Sequence, residues 1–225
     1  MKVKANGSPV RVALMGFGTV GQSVARILCS GEVPQVQLTH IFNRDVTRKK
    51  VDWVPASVTW TDSADDIINS DASIVIEVVG GIRPAYDWVK GALQSGKSVV
   101  PANKQLMAHH GAELLDLARA KGLEVRFEAS VAGGIPVLRA LQEGLAGDRL
   151  VEVRGILNGT CAYILSRMQS EPISFGDALA EAQKAGYAEA DPSEDLDGAD
   201  GSGSGVGKEY CGCGGILSSP GANLR

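Results

Sequence analysis

A chain of 225 residues, 44% apolar and 21% charged, is long enough for one or two packed domains and has an ordinary water-soluble composition. Its formal net charge of -4 offers no basic footprint for nucleic acid, and no stretch approaches the roughly 20 apolar residues that cross a bilayer. Residues 1–10 lack the apolar core of a signal peptide, and Cys29, Cys161, Cys211 and Cys213 make no disulfide framework, so the expected compartment is a reducing cytoplasm.

The run VRVALMG at 10–16 is nearly continuous in apolar residues, as in a strand buried on both faces of a parallel sheet. A helical stretch follows, with Val20, Val24, Ile27 and Leu28 on one face and Gly31 as its stop. Further strands read at 36–42, 73–79, 97–100, 123–129 and 150–157, with helical patterns at 84–95, 111–121 and 136–144. This alternation predicts βαβ units and a doubly wound parallel α/β sheet. Residues 158–169 look helical, and Ser174 begins another helix, with Asp177 as its capping partner and Gly186 as its end. The expected division is a nucleotide-binding domain over 1–149 and the start of a second domain over 150–200. The tail 201–225 holds eight glycines and reads as loosely packed or disordered.

GFGTVG at 16–21 stands between strand and helix. Gly16 suits a tight turn, Gly18 lets a pyrophosphate approach the backbone, and Gly21 lets helix and strand pack closely. The helix N-terminus, with about half a positive charge, then faces the phosphates. The other reading is a glycine-rich turn that merely packs tightly. At the end of the second strand, Arg44 suits the 2′-phosphate of NADP, while Asp45 keeps NAD open. VVPANK at 99–104 puts Lys104 at a strand's carboxyl end, where it could orient a carbonyl or move a proton. The small residues of EASVAGGI at 128–135 leave carbonyls that could cradle a ligand or hard cation. Glu189, Asp191, Asp195, Asp197 and Asp200 form an acidic cluster, suited either to solvent or to a substrate ammonium group. His109 and His110 read as opening a helix with no metal role, and Cys211 with Cys213 lacks the second pair of a zinc site.

In order along the chain, GFGTVG, IEVVGG with a following proline, PANK, EASVAGGIP, NGTCAYIL and GYAEADPSEDLDGAD resemble homoserine dehydrogenase over residues 11–200. The resemblance implies a Rossmann-type doubly wound sheet followed by an incomplete α+β catalytic and dimerisation domain. It implies NAD(P)-dependent interconversion of L-homoserine and L-aspartate 4-semialdehyde, in threonine and methionine biosynthesis, by a homodimer or larger assembly. Phe17, Thr19, Val20 and Gly186 would lie at the cofactor, and Lys104 between cofactor and substrate. Glu189 and Asp200 would hold the substrate with Asp195 close by, and Glu128, Val131, Gly133 and Ile135 would hold a structural sodium ion through backbone groups.

After Asp200 the chain departs from that pattern. The family places a proton-donating lysine four residues on, and here that position is Ser204; Lys208 is the nearest lysine. A hydroxyl cannot replace an ammonium group as that donor, and losing a positioned acid typically costs about 10²–10⁴ in rate. The expectation is cofactor binding with turnover in question; the alternative is a non-enzymatic NADP-binding module or an inactive fragment.

Overall fold

A computed structural model describes residues 8–149, 153–154, 159–185, 187–188, 210–211 and 214–217. Its contacts divide the chain into two units, Met1–Ser130 and Val131–Arg225, a division earlier in the chain than the expected 149/150.

The first unit is built on a five-stranded parallel sheet of β1 (Val10–Met15), β2 (Val36–Phe42), β3 (Thr59–Thr61), β4 (Ile74–Glu77) and β5 (Ser98–Pro101). The strand order is β3-β2-β1-β4-β5, so the chain reverses its direction of travel across the sheet between β1 and β4. In such sheets a ligand binds outside the carboxyl ends of the strands at that reversal. Helices α1 (Thr19–Cys29), α2 (Val46–Lys49), α3 (Ala64–Ile68), α4 (Ala85–Gln94) and α5 (Lys104–Ala120) make the crossovers. The apolar run of β1 is used on both faces. Ala13 and Met15 pack into one core with residues of α3, α4 and α5, while Leu14 joins Phe17, Ala25, Leu38 and Ile41 in another.

The unbroken strand expected at 123–129 is reduced to one bridge, Val125 beside Val99, followed by a 3-10 turn at Glu128–Ser130. The Val99 N–H donates to the Glu124 carbonyl at 2.9 Å and the Arg126 N–H to the Val99 carbonyl at 3.0 Å, while the Glu124 and Arg126 side chains pair with each other at 2.9 Å. Helix α5 begins earlier than expected, because Asn103 caps it by accepting from the Leu106 N–H at 3.0 Å. His109 and His110 therefore lie inside a helix rather than opening one, and the His110 ring rests 4.2 Å from that of Tyr86.

The second unit contains α6 (Val137–Arg139), which runs on as a π-helical turn through Gly144, then β6 (Val153–Arg154), α7 (Gly159–Ser170) and α8 (Phe175–Lys184). Ile164 of α7 packs on Ala178 and Ala182 of α8, and Arg167 ties the pair by an ion pair to Glu181 at 2.7 Å. Ser174 caps α8 through the Asp177 N–H at 3.1 Å, as the sequence predicts. The glycine-rich tail, expected to lack regular structure, contributes β7 (Tyr210–Cys211) and β8 (Gly214–Leu217). β8 lies antiparallel between β6 and β7, and the GGIL segment has the length for such a pairing.

Candidate functional site: a phosphate turn at the sheet reversal

Three chain segments leave the carboxyl ends of β1, β4 and β5: residues 16–21, 78–81 and 102–104. The first is pinned at both ends by glycines that a larger residue could replace only by displacing backbone. Gly16 has φ 110°, and a Cβ there would stand 2.9 Å from the Val78 carbonyl oxygen. A Cβ on Gly21 would stand 2.3 Å from the carbonyl oxygen of Gly16. Gly18 differs: a Cβ there would meet nothing within 4 Å. Gly18 is also the N-cap of α1, and no side chain caps that helix. The first N–H groups of α1 have no intrahelical partner and present positive potential, so an open glycine at that spot is where a phosphate can reach the backbone.

Thr19 and Val20 open α1, and Val20 is 55% exposed, so both stand at the rim of this turn. Phe17 does not. Its ring is 0% exposed and packs against Trp53 at 5.9 Å and Trp60 at 4.7 Å. Only its backbone can meet a nucleotide; the side chain anchors the turn to the core beneath.

Beyond β2, the Asp45 side chain accepts the Arg48 N–H at 3.0 Å and so caps α2. Arg44 beside it is exposed, and its guanidinium has no ion pair among the described residues. One carboxyl oxygen of Asp45 is engaged at this corner, and the Arg44 cation beside it is exposed.

Lys104 is exposed as the first residue of α5. Asn103, only 4% exposed, holds that helix end and also donates from Nδ2 to the Gly81 carbonyl at 2.6 Å. Glu77 closes β4 with no exposed surface, and its Oε1 accepts the N–H groups of Val79 at 2.8 Å and Gly80 at 3.3 Å. Burial pushes the Glu77 carboxyl above the ordinary carboxylate range, against the pull of those two N–H groups and the nearby Asn103 amide. Sequence reasoning assigned neither Glu77 nor Asn103 a role. The available signal was a carboxylate inside a run, SIVIEVV, that otherwise reads as buried on both faces.

The remaining candidates are placed less fully. Glu128 lies in the 3-10 turn of the first unit. Val131, Gly133 and Ile135 lie in the second unit, in a turn that passes through left-handed backbone at Ala132 (φ 47°) and Gly134 (φ 84°). Thr160 of the NGT motif is buried and donates to the Tyr187 carbonyl at 2.8 Å. Gly186, Glu189, Asp195, Asp200 and Ser204 lie outside the described residues. Among the described residues no cluster of three metal-binding side chains occurs, and no helix is long and apolar enough to cross a membrane.

A family model for the NAD binding domain of homoserine dehydrogenase matches residues 16–128, and a homoserine dehydrogenase model matches residues 136–203. The chain belongs to the homoserine dehydrogenase family. It is 42% identical over 198 residues to homoserine dehydrogenase of Bacillus subtilis, covering 85% of this chain and 46% of that one. A homoserine dehydrogenase structure from Thiobacillus denitrificans superposes with a TM-score of 0.77 at 38% identity, over 87% of this chain and 47% of that one. A hyperthermophilic archaeal homoserine dehydrogenase in complex with NADPH superposes at 0.73 with 26% identity, over 87% of this chain and 67% of that one. The chain thus spans about half the length of the curated relatives it matches. The two matched segments meet near the division of the structure at Ser130/Val131.

Proposed function

We propose that the first unit is an NADP(H)-binding domain and that the chain serves the homoserine dehydrogenase reaction, interconverting L-homoserine and L-aspartate 4-semialdehyde in the biosynthesis of threonine and methionine. One observation carries the reading: Gly18 sits open at an uncapped helix N-terminus, between two glycines locked by backbone contact. That arrangement fits a pyrophosphate. NADP is favoured over NAD because Asp45 is engaged as a helix cap while Arg44 is exposed beside it. Guanidinium pairs bidentately with a 2′-phosphate, which a ribose 2′-hydroxyl cannot match.

The cofactor, when bound, supplies or accepts the hydride. Lys104, at the start of α5, then orients the substrate oxygen or exchanges its proton. Glu189, Asp195 and Asp200 hold the amino-acid end of the substrate, with Gly186 at the cofactor. The oxygen donors of Glu128, Val131, Gly133 and Ile135 suit a sodium ion in kind, though the Ile135 carbonyl already accepts the Val137 N–H at 2.7 Å. The compartment consistent with this metabolism is the cytoplasm. With Ser204 where the family places a lysine, this chain binds cofactor better than it turns over substrate.

Arg44→Ala tests the cofactor assignment. Loss of a charge-assisted contact of about 1.5–3 kcal/mol should weaken NADPH about tenfold or more and leave NADH unchanged. Fluorescence titration of both cofactors reads this directly. Equal weakening of NADPH and NADH, or none, would contradict the assignment.

A further inference from the structure

The strand reversal has two sides. The adenosine half of a dinucleotide belongs on the β2 side, where Arg44 stands, so the other half extends past the reversal towards the segment leaving β4. That segment contains two consecutive exposed glycines, Gly80 (φ 80°) and Gly81 (φ 71°). Such a pair has wide conformational freedom and no side chains to hold it. Buried groups hold it instead. Glu77 receives the Val79 and Gly80 N–H groups on one carboxyl oxygen, and Asn103 donates to the Gly81 carbonyl. The other Asn103 atom, Oδ1, caps the helix that begins with Lys104. One side chain therefore fixes the glycine loop and the lysine helix together, and the Ala102 N–H adds a bond to the Glu77 carbonyl at 2.8 Å.

Glu77 is expensive for a core residue. It has no exposed surface, and its Oε2 finds no hydrogen-bond partner among the described residues. An apolar side chain of similar volume would avoid the cost of burying the carboxyl but leave the Val79 and Gly80 N–H groups without their acceptor. What the carboxyl provides in return is a fixed shape for the loop.

We infer that Glu77 and Asn103 are positioning residues that hold the Gly80–Gly81 loop and the start of α5 in the arrangement that receives the nicotinamide half of the cofactor. The inference rests on the NADP(H) reading above. Its test separates the two halves of the cofactor. The full chain and its Asn103→Ser and Glu77→Ala variants are titrated with NADPH and with adenosine 2′,5′-bisphosphate, which lacks the nicotinamide half. Serine keeps the helix cap but cannot reach Gly81, so Asn103→Ser decides the matter even where Glu77→Ala unfolds. The expected result is about tenfold weaker NADPH binding with the bisphosphate unchanged. Parallel weakening of both ligands would mean a general structural role and would overturn the inference, as would unchanged NADPH binding in Asn103→Ser. Failure of the unaltered chain to bind either ligand would instead remove the NADP(H) reading, and this inference with it.

Discussion

Gly21→Ala is expected to cost the fold about 1–3 kcal/mol and to abolish measurable NADPH binding. Two effects oppose each other here. Alanine at a helical position gains up to about 1 kcal/mol over glycine from propensity. Against this, the new Cβ would stand 2.3 Å from the Gly16 carbonyl oxygen and near the Val78 side chain. The obstructing atom is backbone and cannot rotate away as the tip of a side chain can. Relief requires α1 to move off the sheet or the turn to open, and either displaces the N–H groups at Gly18. The steric effect wins. Thermal unfolding should drop by several degrees, while the same exchange at Gly96, a glycine with nothing near its Cβ position, gives the strain of its φ of 81° without any effect on the turn. An undiminished NADPH affinity in Gly21→Ala would mean that this turn does not hold the phosphates.

Phe17→Ala should produce the largest stability loss in the first unit, about 3–5 kcal/mol. The ring is fully buried, roughly stacked on Trp53 (interplanar 28°) and edge-on to Trp60 (73°). Aromatic pairs of this kind add about 0.5–1.5 kcal/mol each beyond the area they bury. The Arg26 guanidinium, 4.2 Å above the Trp53 ring, covers the cluster on its outer side. Truncation leaves a cavity directly beneath the phosphate turn, so NADPH binding falls as a consequence of loosened backbone. Chemical denaturation followed by tryptophan fluorescence reports both events, since Trp53 and Trp60 line the cavity. Stability within about 0.5 kcal/mol of the unaltered chain would contradict the packing described.

Much of the first unit was legible because its elements are long and their burial is regular. β1 announces itself by an apolar run that serves two cores; of the stripe expected on α1, Val24 and Leu28 pack with Ala25 against Leu38 and Ile41, while Val20 and Ile27 are exposed. The tight turn at Gly16 and the close packing at Gly21 follow from strand, turn and helix in succession, and the contacts at those two positions agree with them, while Gly18 faces open space. The elements without a sequence signal are short. β3 has three residues and α2 four, too few to establish either period. The alternation in LEVRFEA suggested a full strand, but at the sheet edge only Val125 pairs. Phe17 was assigned to the cofactor from resemblance; the burial of its ring limits that role to its backbone, which no residue pattern announces. Glu77 and Asn103 escaped notice because their work is done by hydrogen bonds to backbone across 22 residues or more locally within a turn, and no residue pattern encodes such bonds.

Cofactor binding by the first unit depends on a phosphate cradle at Gly18. Its most direct test is NADPH fluorescence titration of the purified chain beside Gly18→Val, a substitution whose Cβ would meet no protein atom within 4 Å. The unaltered chain should bind saturably; the valine variant should stay folded, losing about 1 kcal/mol for its poorer helix cap, and show no saturable binding. Equal affinity in the two proteins, or no binding in the unaltered chain, would contradict it.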